Sequence, residues 1–253
     1  GTGKYGNGRR CYQIYSGAWK GTLTEGELGK VIEQNKNAMT QSSEENAIYG
    51  TTLQPIDDIR SFIISVSTPD AEYDESVLNQ ITEENIQEFY DTYHKNMKKM
   101  AEEYGKTAVQ KKYLEKKYNE IKLPVEYESY SSWDTMIMYV ETYSIILAII
   151  VGFICAGIFA DDFQTKADAV FFSTKYGRTK AVKTKILAGI ATTVMIYCMG
   201  IILLSVICFG IMGTSGMNTH YQMYQAYSIY IMSYGQYYLL TVVCGFIASM
   251  LAA

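Results

Sequence analysis

Residues Ile158–Lys185 read IFADDFQTKADAVFFSTKYGRTKAVKTK, and a long uncharged apolar run flanks them on either side. Neither Tyr143–Ala160 nor Ile186–Gly213 contains a charged residue. A helix needs about 20 mostly apolar residues to cross a hydrocarbon core roughly 30 Å thick, at ~1.5 Å per residue. Both runs meet that requirement, the first if it begins nearer Met136 and tolerates Glu141 close to its end. The link between them sets Lys166, Lys175, Arg178, Lys180, Lys183 and Lys185 against Asp161, Asp162 and Asp168. Basic residues in short loops are retained in the cytoplasm, so the link is expected inside and residues 1–132 outside.

The overall composition hides this organisation. A mean hydropathy of -0.04 and 19% charged residues describe an ordinary soluble protein, but they average two unlike halves. Residues 1–132 hold 16 of the 22 Lys and Arg and 21 of the 26 Asp and Glu, a balance of -5. All 6 basic residues of the second half sit in the link. Mild acidity argues against a general nucleic-acid binder, which presents a basic face. Moving a polar domain across a membrane requires a signal peptide or an earlier span. The chain opens at Gly1 without an apolar segment and ends at Ala253 inside an uncharged run that starts near Tyr237. A fragment is therefore expected, with at least one span before residue 1 and more chain after residue 253. Cys155, Cys198, Cys208 and Cys244 fall in apolar runs, as small packing residues do, and Cys11 stands alone. No CxxC pair points to zinc or redox chemistry.

Within residues 1–132 the periodicity is mainly helical. Thr24 and Glu27 form a capping box for a helix to about Met39. Pro55 opens a second helix with Ile56, Ile59, Phe62, Ile63 and Val66 at helical spacing. Thr82 caps a longer helix to about Tyr104, whose apolar side holds Ile86, Phe89, Tyr90, Tyr93 and Met97. Thr107–Ile121 carries KKYLEKKY, a mostly solvated face, and Pro124 ends it. Tyr12–Thr22 and Leu123–Tyr130 are expected to be extended and able to pair. Trp133 and Tyr139 are placed at the outer membrane interface, where amphipathic rings settle. Thr214–Gln236 has no Lys or Arg and is rich in Tyr, Met and Ser, as expected of an outer loop or a segment laid on the membrane surface.

Catalytic constellations are lacking. His94 and His220 have no Cys or carboxylate at metal-ligand spacing. Gly105-Lys106-Thr107 imitates the end of a phosphate loop, yet Met100 occupies the position that needs a glycine. The glycines of GTGKYGNGRR lack the preceding strand of a dinucleotide fingerprint. After the first span, an amphipathic helix is expected with Phe163, Ala167, Val170 and Phe171 on one face. Asp161, Thr165, Asp168 and Phe172 fall on the other. Such a helix either lies in the headgroup plane or meets a cytoplasmic partner through Phe172.

The stretch resembles the permease subunits of type-2 ABC transporters. These carry, after their second span, Phe, Glu, Gly-Thr, an apolar run, Ser-Thr and Gly-Arg before a Lys-led third span. The corresponding residues here are Phe159, Asp162, Val170-Phe171-Phe172, Ser173-Thr174, Gly177-Arg178 and Lys185. Asp162 replaces the Glu, and Lys166-Ala167 replaces Gly-Thr. The large outer domain is similar to that of a Firmicute-like branch. The resemblance covers only this stretch of the chain. It implies export or clearance of a peptide-like, lipid-like or drug-like substrate. It also implies docking on a separate ATP-binding subunit through Asp161, Asp162, Asp168, Phe172, Lys175 and Arg178. Trp133, Tyr139, Phe163 and Phe171 would meet membrane lipid, and a second permease copy or half would complete the path. ATP would be bound by the partner, so no cofactor and no enzymatic activity are expected of this chain, and no nucleic acid. A membrane receptor with a ligand-binding outer domain and a link that docks a signalling protein is the alternative. An intramembrane enzyme lacks paired Asp, Ser with Lys or His, or HExxH in a span.

The expected fold is mainly α: a polytopic α-helical membrane protein of the cell membrane with a small, mainly helical extracellular domain. Its expected segments are a domain at 1–132, spans at 133–160 and 186–213, a cytoplasmic link at 161–185, an outer loop at 214–236 and the start of a further span at 237–253. A cysteine in place of Lys175 should be labelled by impermeant reagents only from the cytoplasmic side. Cysteines in place of Lys112 or Gln222 should be labelled only from outside. Outside labelling of position 175 would overturn this topology.

Overall fold

The computed structural model describes residues 17–40, 52–69, 72–164, 173, 176, 180 and 182–252, without the side chains of 39, 40, 158, 159 and 161–164. Mainly helical, it divides into two compact units. The described residues up to Tyr130 join Ser215–Tyr234 in one, and Ser131–Thr214 with Gly235 onward form the other.

In the first unit, β1 (Gly21–Thr22) pairs antiparallel with β2 (Glu126–Tyr127), inside the two stretches expected to be extended, but residues 17–19 form a turn and residues 12–16 of the first stretch lie outside the described residues. The pairing continues where the Leu23 amide donates to Val125 O at 2.9 Å. Helix α1 (Glu25–Thr40) starts where expected, with Glu27 N donating to Thr24 Oγ1 at 3.4 Å. A 3-10 turn, Gln54–Ile56, leads into α2 (Asp57–Ser67), and the short helices α3 (Val77–Gln80) and α4 (Glu83–Gln87) follow. Thr82 caps α4 reciprocally with Asn85, but the helix does not run through to Tyr104: it breaks at Glu88 and resumes as α5 (Phe89–Tyr104). The break turns Phe89, Tyr90 and Tyr93 inward while Ile86 stays half-buried. Thr107 and Gln110 form a second capping box on α6 (Ala108–Asn119), which packs on α5.

Helix α2 is the centre of this unit. Beyond the predicted apolar face, Ile64 and Arg60 are also buried. The Arg60 guanidinium is fully enclosed, with Nε donating to Asn35 Oδ1 at 2.9 Å. Its Nη1 and Nη2 each lie 2.7 Å from a carboxylate oxygen, of Asp57 and of Glu75. One side chain thus ties α1, α2 and the turn before α3. A buried cation is tolerated only when paired and hydrogen-bonded, and here all three nitrogens have partners.

Residues 215–234 complete the unit. The segment expected as an outer loop packs among the residues that precede the first long helix. Gly216 adopts φ +80° against the Ser129 backbone, a conformation and a closeness that exclude a β-carbon. Thr219 exchanges hydrogen bonds with the Glu128 backbone: its Oγ1 donates to the carbonyl at 2.7 Å and accepts from the amide at 3.1 Å. The Tyr130 and Tyr234 rings stack at 4.2 Å.

The second unit comprises α7 (Ser131–Gln164), α8 (Val182–Met212) and α9 (Tyr234–Ala252), and each holds a segment long and apolar enough to cross a membrane. These helices overrun the expected limits. The first begins at Ser131 and stays helical past Asp161 and Asp162, the second begins at Val182, and the third at Tyr234. Contacts between α7 and α8 run in opposite order along the chain: Trp133 with Phe209, Tyr143 with Tyr197, Cys155 with Gly189. The two helices are therefore an antiparallel hairpin. At its open end, where the chain enters α7 and leaves α8, Trp133 Nε1 donates to Thr214 O at 3.1 Å. Hydroxyls lace the interior: Tyr143 donates to Ile196 O at 2.8 Å, and Tyr197 to Val242 O at 2.7 Å. Gly200 faces the Tyr143 ring and Gly245 faces Ser144 and Tyr197, each too close for a β-carbon. Small residues that admit a neighbour's aromatic ring are a recurrent device of helix pairing in apolar surroundings.

The Arg60 cluster sets an order of effects. Arg60→Met removes the buried charge and leaves the Asn35 amide short of a partner, at a cost of about 1–3 kcal/mol. Replacing Asp57 and Glu75 together by Ala leaves the guanidinium buried without a counter-charge and should cost about 3–5 kcal/mol. Denaturant dependence of α2 amide exchange in the full chain checks the ranking.

Candidate functional site

The predicted docking residues, with Phe163 and Phe171 predicted to meet lipid, divide into two groups. Asp161, Asp162 and Phe163 lie on the last turn of α7, continuous with the long helix rather than on a separate link helix, and their side chains are not described. Asp168, Phe171, Phe172, Lys175 and Arg178 lie outside the described residues. Of their neighbours, Lys180 Nζ sits 4.6 Å above the Tyr176 ring. Trp133 is buried, its ring 4.6 Å from Phe209 and 5.7 Å from Tyr238, so its indole is engaged by protein. Tyr139 is exposed.

A groove of about 580 Å³ opens on the first unit. Its walls are the end of α2 (Ile64, Ser65, Thr68), the α5–α6 pair (Met100, Tyr104, Leu114, Tyr118) and Tyr224–Ile229 of the returning segment. None of its lining residues is charged, and Tyr73, Tyr104, Tyr118, Tyr224 and Tyr227 all contribute. The Ser65 and Thr68 hydroxyls each donate back into α2 at 2.9 Å, so toward a ligand they act chiefly as acceptors. Tyrosines present broad rings with one polar tip at low entropic cost, which suits uncharged amphipathic ligands.

Tyrosine hydroxyls tie the far wall of the groove to the rest of the unit. Tyr93 donates to Ala226 O, and Tyr118 to Tyr227 O at 3.1 Å. In the opposite sense, Tyr227 donates to Val66 O at 3.0 Å, and its ring meets Tyr93 edge-on at 5.5 Å. Gln222, buried, donates from Nε2 to Ser228 O and Tyr230 O, both at 3.0 Å, and so folds the segment on itself. Burial pushes the Tyr90, Tyr93 and Tyr130 hydroxyls well above the usual tyrosine range. Among the described residues no group of three His, Cys, Asp or Glu could hold a metal ion.

None of this wall was visible as a site in the sequence. The available signal was negative: Thr214–Gln236 lacks Lys and Arg but is dense in tyrosine, a composition that serves a protein core edge as well as a membrane surface.

Those raised tyrosines imply alkaline sensitivity. The unfolded chain ionises them near pH ~10 while the folded unit keeps them neutral. Their stabilisation is complete below that pH and is lost as pH rises above it. Unfolding of the first unit should therefore set in above about pH 10. Tyr93→Phe should lower stability at neutral pH by about 1 kcal/mol yet flatten the alkaline loss. Alkaline titration of tyrosine absorbance alongside far-ultraviolet dichroism checks both. Compared with family models, curated proteins and solved structures, the chain shows no match.

Proposed function

We propose that this chain is part of a membrane permease of an ATP-driven transporter, a subunit without enzymatic activity that pairs with a separate ATP-binding protein. Residues 1–132 and the returning segment form its extracellular domain in the cell membrane, and the link faces the cytoplasm. The observation that carries the proposal is the pattern from Phe159 to Lys185, set between two membrane-length helices that pair antiparallel. The pattern lies in the link that joins the two helices of that hairpin, the segment this reading assigns to a cytoplasmic ATPase. The exposed apolar surfaces of α7, α8 and α9 suit lipid and a second permease copy or half. The substrate class is peptide-like, lipid-like or drug-like.

The uncharged groove favours a second possibility, a receptor whose domain binds a ligand and whose link docks a signalling protein. A neighbouring reading frame with GxxxxGK[ST] supports the transporter; one encoding a kinase or protease partner supports the receptor.

Docking is tested by Phe172→Ala against Phe171→Ala. Burying an aromatic in a partner groove contributes about 2 kcal/mol, so Phe172→Ala should weaken pull-down of the ATP-binding subunit roughly 30-fold and uncouple its hydrolysis from transport. Phe171→Ala should instead reduce protein level. Equal pull-down by wild type and Phe172→Ala at equal expression would remove the docking role.

A further inference from the structure

Charge on the first unit is segregated rather than mixed. Residues 95–122, the later part of α5 and all of α6, carry nine lysines against four glutamates. The other described residues of the unit, 17–94 and 123–130 with 215–234, carry fourteen acidic against four basic. An acidic domain therefore bears one strongly cationic helical pair. Lys95, Lys98, Lys106, Lys111, Lys112, Lys116 and Lys122 are all exposed on it.

The α6 surface has a second feature. At 100° per residue, Val109, Lys112, Tyr113 and Lys116 fall on one stripe, and Leu114 and Tyr118 on the opposite side. Tyr118 is buried and Leu114 half-buried, so that side is the packed one. The stripe faces away, with Val109 79% and Tyr113 53% exposed. Tyr104, 66% exposed, closes the preceding helix, and Lys106 stands in the turn between the two. The stripe thus sets two bare apolar side chains between lysines. A dissolved phosphate polymer would engage the lysines and leave those apolar groups in water. The headgroup region of a bilayer accepts both: phosphates for the ammonium groups and the acyl boundary for the ring and the isopropyl group.

We propose that the Val109–Lys112–Tyr113–Lys116 stripe of α6 docks on the anionic surface of a lipid bilayer. The lysines supply attraction that falls with salt, and Val109 and Tyr113 supply insertion that does not. The proposal stands whether or not the chain is a permease.

The test uses the full chain in nanodiscs of phosphatidylcholine, which leave the stripe without anionic lipid. Added vesicles of phosphatidylcholine with phosphatidylglycerol should float the nanodiscs with them, and pure phosphatidylcholine vesicles should not. Lys106→Gln, Lys112→Gln and Lys116→Gln together should weaken this association roughly 100-fold. Val109→Ser with Tyr113→Ser should weaken vesicle association while leaving any binding to soluble polyphosphate unchanged. All these positions are exposed, so helicity measured by dichroism should not move. Equal flotation with both vesicle types, or none with either, overturns the proposal. Association that the lysine variants do not weaken overturns it too, as does binding to polyphosphate without binding to anionic vesicles.

Discussion

Hydroxyl groups of Tyr93 and Tyr118, each donating to a backbone carbonyl of residues 226–227, hold a segment that arrives 85 residues after the first unit is left at Tyr130. Everything else about the architecture follows from that return. The chain must leave the unit, run through two long apolar helices and come back. Loop closure over such a span costs conformational entropy, though only slowly more with length. The rigid hairpin offsets much of it, because α7 and α8 bring residues 133 and 214 within hydrogen-bonding distance by their own pairing. The returning segment then contributes the Tyr130–Tyr234 stack, the Thr219–Glu128 backbone exchange and one wall of the groove.

The same chemistry recurs inside the helical unit. Tyr143 and Tyr197 donate to carbonyls of neighbouring helices, with Gly200 and Gly245 making room. In apolar surroundings a tyrosine is a large contact surface whose single polar atom must find an acceptor. A helix carbonyl has a second lone pair and can accept without losing its own bond. This explains how a chain with 23 tyrosines can place many of them inside without a matching supply of polar side chains.

Much of the fold was legible because its signals are local. The Thr24 cap, the Pro55 start, the strand pair at Thr22 and Glu126, and the long apolar runs each depend on neighbours in sequence. What escaped depends on distant partners. Arg60 reads as a polar interruption of an apolar helix, and only Asn35, Asp57 and Glu75 converging on it make it a core residue. The packing of residues 215–234 on the first unit escaped, because nothing within them names the carbonyl-seeking tyrosines of α5 and α6. The break at Glu88 escaped because Ile86 and Phe89 satisfy a single helical period. Of the candidate sites, the link motif was legible in sequence alone, and the groove in structure alone.

The return of residues 215–234 is tested most directly by amide hydrogen exchange on the full chain. The Tyr221 amide donates to Met232 O at 2.9 Å and the Tyr234 amide to Thr219 O at 3.0 Å. Both should exchange slowly, together with the Leu23 amide of the strand pair, and Tyr93→Phe should accelerate residues 223–228 more than α8. Exchange of 219–234 at the rate of an unstructured loop, indifferent to Tyr93, would contradict the account.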